Sequence, residues 1–141
     1  MIFSSRLYNN LLLTDVFRRL KYLHILSKSS RLLPRDTNKL IERFPSLVHL
    51  EFQLTFGKEL PPLLDTCLSG LPDLVHIRVH FNRIPLVQCE EYYINYIAKK
   101  RRKAFPWIAC NTEDISVQIV TKIVNIYLKG CSMCTNNTQH V

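Results

Sequence analysis

Apolar and polar residues alternate in three short stretches of the chain, and these stretches share one motif. They read "FRRLKYLHI" from Phe17, "FPSLVHLEF" from Phe44 and "LPDLVHIRV" from Leu71, each 27 residues after the last. Alternation with a period of two residues is typical of a strand that buries one face. The motif therefore predicts three strands, with buried pairs Leu23/Ile25, Leu50/Phe52 and Ile77/Val79.

Segments with helical spacing lie before these strands. In "DTNKLIERF", Asp36 or Thr37 is expected to cap a helix that ends before the second strand. In "ELPPLLDTCLSGLPD", Pro61 and Pro62 suit a first helical turn and Gly70 suits its end. The segment "YNNLLLTDVFRRL" is expected to form the same kind of helix before the first strand.

A unit of one helix and one strand, repeated three times, cannot bury its apolar face alone and must stack on its neighbours. The repeat therefore predicts a short curved α/β solenoid, with parallel strands on the concave face and helices on the convex face. A doubly wound α/β sheet also alternates helices and strands. Strands of only about five residues that keep one motif favour the solenoid.

The pattern changes after about residue 90. The segment "CEEYYINYIAKKRRKAFPW" begins with acidic residues and ends with five cations, as a helix dipole favours. The next strand, "ISVQIV", is predicted at residues 115–120, about 13 residues later than the period requires. We predict an atypical C-terminal capping unit, in which "TKIVNIYLK" either continues that strand or closes the stack.

The chain is long enough for one domain with its own core. We predict a solenoid over residues 1–130, with the capping unit from about 90, and a disordered polar tail over 131–141. No polar-faced element precedes the first repeat, and an uncapped stack exposes an apolar end. We therefore expect that a partner covers this end or that the chain is part of a longer protein.

The third motif continues with the spacing L-x-x-I-x-V-x-x-N-x-I, from Leu74 to Ile84. This spacing and the 27-residue period resemble a leucine-rich repeat of the longer, helix-containing type. The resemblance covers roughly residues 5–120 and implies a right-handed solenoid of about three repeats plus the atypical unit. Only Asn82 fills the asparagine position of that family, so its asparagine ladder would be broken.

The motifs "LPDLVHI" and "FPSLVHL" and the basic closing helix look like the C-terminal repeats of eukaryotic F-box/leucine-rich-repeat proteins. In that family the repeats hold a substrate, and an N-terminal F-box docks a Skp-type adaptor of a cullin ubiquitin ligase. The resemblance implies a non-catalytic protein–protein interaction module for ubiquitin-ligase substrate recognition. No F-box is recognisable in this chain, so a Skp-type adaptor is expected only for a longer form.

The outward-facing strand residues form three columns when the strands are aligned in the 27-residue register. Parallel strands lie about 4.8 Å apart, so each column is continuous on the concave face, where solenoids bind partners. The columns are Tyr22/His49/His76, His24/Glu51/Arg78 and Leu26/Gln53/His80. We predict that another protein binds there. The alternative is a set of ordinary solvated residues, with Glu51 and Arg78 as a weak surface ion pair.

Histidines and cysteines are candidate metal ligands in this sequence. Four histidines lie in the columns, but a metal needs three or four convergent ligands, and duplication of the motif accounts for His49 and His76. The lone C-x-x-C of "CSMC", from Cys131 to Cys134, falls in the polar tail. An odd count of five cysteines and no recognisable secretion signal predict reduced thiols. We expect no metal and no cofactor.

The net charge of +8 is unevenly distributed, with +6 in residues 1–35, −1 in residues 36–89 and +3 in residues 90–141. A protein that coats nucleic acid would spread its charge more evenly. One basic patch stands out, and it comprises Lys99, Lys100, Arg101, Arg102 and Lys103. It resembles a nuclear localisation signal or a phosphate-binding patch. The alternative function is therefore a nucleic-acid or anionic-surface binder, although nucleic acid is the less expected partner.

Catalysis has little support in the sequence. No G-x-S-x-G, Gly-rich phosphate loop or H-E-x-x-H occurs, and three glycines are too few for a phosphate-cradling loop. No apolar run approaches the roughly 20 residues that span a bilayer. We expect a non-enzymatic protein of the cytoplasm or nucleus with no membrane partner. A third possibility is a partial copy of a longer repeat protein, with no function of its own.

Overall fold

Helices and strands alternate along the computed structural model, which describes residues 14–25 and 34–129. The helices are α1 (Thr14–Arg19), α2 (Pro34–Arg43), α3 (Leu60–Gly70) and α4 (Glu90–Ala104). The strands are β1 (Tyr22–Ile25), β2 (His49–Leu54), β3 (His76–Phe81), β4 (Ile115–Val120) and β5 (Ile123–Leu128). These elements confirm a mixed α/β fold with the predicted order of helices and strands. The predicted polar tail lies outside the described residues.

One open sheet contains all five of these strands, in the order β1-β2-β3-β5-β4. The first three strands are parallel, and His49 pairs with Tyr22 on one side and with His76 on the other. The 27-residue period of the sequence is therefore the register of this parallel part.

The C-terminal hairpin closes the parallel part of the sheet. A turn at Thr121 and Lys122 joins β4 to β5, and so short a connection requires antiparallel strands. The strand that pairs with β3 is β5, in antiparallel orientation, and β4 lies beyond it. The segment "TKIVNIYLK" therefore does not continue β4 but turns back and forms β5.

The helices cover one face of the sheet. They pack in chain order, α1 on α2, α2 on α3 and α3 on α4, and α4 also packs on β4. The predicted inward strand residues Leu23, Leu50 and Ile77 are fully buried in a single hydrophobic cluster with the helix residues. Within the described residues, no helix has the length and apolar character needed to cross a bilayer.

The helix boundaries depend on proline. Helix α3 has Pro61 and Pro62 in its first turn and ends at Gly70, as predicted. Helix α2 begins at Pro34, so the expected cap at Asp36 or Thr37 is wrong. Proline is favoured in a first turn because its φ angle is already helical and its missing N–H is not needed there. Thr37 consequently lies inside the helix and is buried.

Candidate partner-binding site

Alternate strand residues lie opposite the helices and form what we call the polar sheet face. The observed register brings the predicted columns together and extends them onto β5 and β4. The first column is Tyr22, His49, His76, Tyr127 and Ser116, the second is His24, Glu51, Arg78, Asn125 and Gln118, and the third is Gln53, His80, Ile123 and Val120. Leu26, assigned to the third column from the sequence, lies outside the described residues.

The first column is a continuous line of rings. Ring centroids are 5.8 Å apart for Tyr22 and His49, and 5.7 Å apart for His49 and His76. His76 then stacks on Tyr127 at 4.5 Å with an angle of 11° between the planes. Tyr127 was missed from the sequence because β5 was not assigned to a place beside β3. The alternation in "IVNIYL" was the available signal.

His76 is electrically neutral at physiological pH. Burial lowers its pKa, and this effect exceeds the opposing effect of Asn125, whose Oδ1 lies 3.4 Å from His76 Nε2. The pKa of His76 therefore lies below its ordinary value of 6.5. The centre of the first column thus offers an uncharged ring rather than a cation.

Glu51 is the centre of the second column. Its carboxylate oxygens lie 2.9 Å from His80 Nε2, 3.5 Å from His24 Nε2 and 3.9 Å from a terminal nitrogen of Arg78. Glu51 is only 9% exposed, so the expected surface pair with Arg78 is in fact a largely buried group with three basic neighbours. The neighbours on both flanking strands reach over it and exclude solvent.

The carboxylate of Glu51 stays ionised in this environment. Burial raises its pKa, but the hydrogen bond from His80 and the electrostatic interactions with His24, His80 and Arg78 together outweigh burial. The net result is a pKa below the ordinary value of 4.5. A buried anion therefore holds the basic side chains of β1 and β3 in place.

Arg78 presents a partly exposed guanidinium at the middle of the face. Its Nε donates a hydrogen bond of 2.8 Å to Asn125 Oδ1, and its side chain is 40% exposed. A guanidinium has five N–H donors in a planar fork. Arg78 can therefore be fixed by Asn125 and Glu51 and still offer donors to a carboxylate or carbonyl of a partner.

Gln53 of the third column contacts Asn82, which fills the asparagine position of the repeat resemblance. The Gln53 side-chain amide donates a hydrogen bond to Asn82 Oδ1, and the Asn82 backbone N–H donates to Leu54 O at 3.2 Å. Asn82 is exposed, so its side chain does not point into the core.

Potential metal ligands do not converge on the polar sheet face. Across residues 14–25 and 34–129, no group of three or more histidine, cysteine or acidic side chains has the arrangement needed to hold a metal ion. His24 and His80 contact Glu51 itself and stack at 6.5 Å between ring centroids. These three side chains are arranged to bind one another.

Among the three cysteines that the structure describes, one differs from the sequence expectation. Cys67 and Cys89 are free thiols, and complete burial raises the pKa of Cys67 to about 12. Cys110 is disulfide-bonded, which corrects the expectation of reduced thiols for this residue. The number of cysteines in a sequence does not show which of them the fold brings within bonding distance. The "CSMC" segment also lies outside the described residues.

The basic patch is smaller than the sequence predicted. Arg101 is fully buried and donates hydrogen bonds to Leu68 O, Leu71 O and Pro72 O at 2.8, 2.7 and 2.9 Å. It thereby binds carbonyl groups at the C-terminal end of α3. Burial lowers its pKa to about 10, which still leaves it charged at neutral pH.

The other four cations of the basic patch are not all available to bind an anion. Lys100 Nζ lies 2.9 Å from Asp65 Oδ1, and Arg102 Nε donates to Ala98 O at 3.3 Å. Lys99, Arg102 and Lys103 are exposed. Because one cation of the five is buried and another is paired, the patch is a weaker anion-binding surface than its sequence suggests.

Comparisons with known proteins found no relative of this chain. The chain matches no protein-family model, no curated protein and no solved structure. The resemblance to leucine-rich-repeat proteins therefore remains a prediction from the residues.

Proposed function

We propose that this chain is a short leucine-rich-repeat-type α/β solenoid whose polar sheet face binds another protein without catalysis. The observation that carries the proposal is the register of the parallel strands, which lines up residues of like position into columns. Repeated units that present equivalent side chains on adjacent strands build extended binding surfaces in solenoid proteins.

The chemistry of the face supports a protein partner. Tyrosine and arginine are enriched among the residues that dominate protein–protein binding energies. Tyr22 is 49% exposed at one end of the first column, and the Arg78 side chain is 40% exposed near the centre. The contacts of Glu51 and Asn125 hold the face in one arrangement before binding, which reduces the entropy lost on association.

The resemblance to F-box/leucine-rich-repeat proteins suggests the kind of partner. By that analogy the face would hold a substrate of a ubiquitin ligase, and attachment to the ligase would need an F-box in a longer form. The alternative function, a nucleic-acid or anionic-surface binder, has less support because Arg101 is buried and Lys100 is paired with Asp65.

A site-specific cross-linking experiment tests the proposal. A photoreactive phenylalanine analogue replaces Tyr22 on the polar sheet face or, as the matched control, Tyr92 on α4, which is 47% exposed. Both proteins are illuminated in cells, and cross-linked proteins are identified by mass spectrometry. We expect a specific cross-linked protein from position 22 and not from position 92.

A binding variant then tests the residues. Replacing His49 with alanine and Arg78 with glutamine in one protein should abolish the cross-link from position 22 while the chain stays folded, because glutamine places no second carboxylate beside Glu51. Both side chains are partly exposed, unlike Glu51, whose replacement would disturb the fold. Two outcomes would refute the assignment. One is that the same protein is captured equally from positions 22 and 92, and the other is that the double variant captures it as well as the original chain does.

A further inference from the structure

A second surface lies beyond the carboxyl ends of β2 and β3. The turn after β2 and the loop after β3 enclose a groove of about 430 Å³. Its lining includes the apolar residues Phe56, Ile84 and Leu86 and the cations Lys58 and Arg83. We call this the loop groove.

The apolar residues of the loop groove are unusually exposed. Leu86 is 97% exposed, Ile84 is 70% exposed and Phe56 is 40% exposed. Single exposed apolar residues are common on protein surfaces, whereas several lining one groove mark a binding site. Two residues after Leu86, the backbone N–H of Gln88 donates a hydrogen bond of 3.3 Å to the Tyr93 hydroxyl.

Backbone contacts fix the walls of the groove. A side-chain carbon at Gly57 would lie 2.5 Å from Leu86 O, so only glycine lets the two walls approach so closely. On the first wall, Glu59 accepts a hydrogen bond from Phe56 N at 3.1 Å. On the second wall, Asn82 N donates to Leu54 O at 3.2 Å. The groove is therefore preformed and does not depend on a ligand for its shape.

The charge of the loop groove is positive. Lys58 Nζ lies 5.5 Å from the centre of the Phe56 ring, and Arg83 is exposed. Within the part of the chain that the structure describes, neither cation forms an ion pair with a carboxylate. Glu59, the acidic residue of the first wall, directs its carboxylate to the backbone of Phe56.

From this combination we infer that the loop groove docks a short segment of a partner protein in which an apolar side chain is flanked by acidic ones. The apolar side chain would lie between Phe56 and Leu86, and its acidic neighbours would pair with Lys58 and Arg83. Complementary charge around an apolar anchor sets the choice of partner and its orientation. The inference is independent of the polar sheet face, because no residue belongs to both surfaces.

The test uses a phage-displayed library of random short peptides, selected on the immobilised chain. Peptides that bind the support without the chain are removed during selection. We expect the recovered sequences to share an apolar residue flanked by aspartate or glutamate. Replacing Leu86 with aspartate should weaken the binding of individual recovered peptides at least about tenfold, and added salt should weaken it further.

Charge reversal provides the decisive comparison. In the Lys58→Glu and Arg83→Glu double variant, the same library should return apolar residues flanked by lysine or arginine. The control variant reverses Lys99 and Lys129, two exposed cations on α4 and after β5, and should return the original acidic sequences. The inference is overturned if no sequence is enriched, if the enriched sequences lack acidic residues, or if both double variants select the same peptides.

Discussion

His80 Nε2 lies 2.9 Å from Glu51 Oε1, although the two residues are not paired across the sheet. The register pairs Glu51 with Arg78 and His80 with Gln53, so this hydrogen bond runs diagonally from β3 to β2. His24 approaches the other carboxylate oxygen from β1. One acidic side chain thus ties together the outer surfaces of all three parallel strands.

Replacing Glu51 with glutamine should lower the free energy of unfolding by about 1–3 kcal/mol at neutral pH, since a hydrogen bond to a charged group is lost. The pKa of Glu51 is below 4.5 in the folded state, so its stabilising effect is complete above 4.5 and is lost as pH falls through the folded-state pKa. Urea titrations of both proteins should converge in acid.

The matched control for that experiment is Glu113→Gln, which removes an exposed carboxylate before β4. It should leave the free energy of unfolding nearly unchanged. If Glu51→Gln and Glu113→Gln behave alike, Glu51 does not organise the polar sheet face.

Replacing His76 with phenylalanine should make stability less dependent on pH below 6.5. Burial keeps the folded-state pKa of His76 below that value, so the unfolded chain takes up a proton first and stability falls as pH decreases. Phenylalanine keeps the ring that stacks on Tyr127 but cannot be protonated. Denaturant titrations at several pH values measure the slope, and an unchanged slope in the variant would contradict this account.

Replacing Arg101 with methionine should destabilise the chain by about 3 kcal/mol or more, because three backbone carbonyls near the end of α3 lose their charged donor. Arg102→Met removes the same charge one residue later, from an exposed position, and should change stability by less than about 0.5 kcal/mol. Thermal unfolding followed by circular dichroism separates the two variants. Equal melting temperatures would show that the buried guanidinium contributes nothing beyond its charge.

Replacing Gly57 with alanine should cost about 1–3 kcal/mol, because the new methyl group would meet the backbone oxygen of Leu86 at 2.5 Å. A backbone atom cannot rotate away as the end of a side chain can. The wall that carries Leu86 should therefore move, with the largest amide chemical-shift changes in residues 82–88. Shifts confined to residues 56–58 would mean that the two walls are not in contact.

The sequence predicted the parallel part of the sheet because two independent patterns agree there. Alternation assigned a buried face to each strand, and the 27-residue period aligned Tyr22, His49 and His76. A register shift of one residue would have exposed every buried residue of a strand, so the alignment was strongly determined.

The C-terminal unit was less predictable for a topological reason. A turn as short as that at Thr121 and Lys122 requires β4 and β5 to be antiparallel, but it does not decide which of them pairs with β3. The location of Tyr127 and Asn125 on the polar sheet face depends on that choice.

The burial of Arg101 had a signal in the sequence that was not used. It follows Tyr93 and Ile97 at intervals of four residues, which places all three on one face of a helix. Treating "KKRRK" as a single charged block concealed the helical spacing of Arg101 with these two buried residues. The burial of Glu51, in contrast, arises from neighbours on two other strands and has no local signal.

The antiparallel pairing of β5 with β3 would allow the sheet to gain further 27-residue units without a change in the C-terminal hairpin. The hairpin meets its neighbour through His76 and Arg78, which stand at the same repeat positions as His49 and Glu51. Duplication of a 27-residue unit ahead of α4 would therefore leave the hairpin an equivalent strand to pair with. Each added copy would widen the polar sheet face by about 4.8 Å, and the same terminal hairpin would still border it.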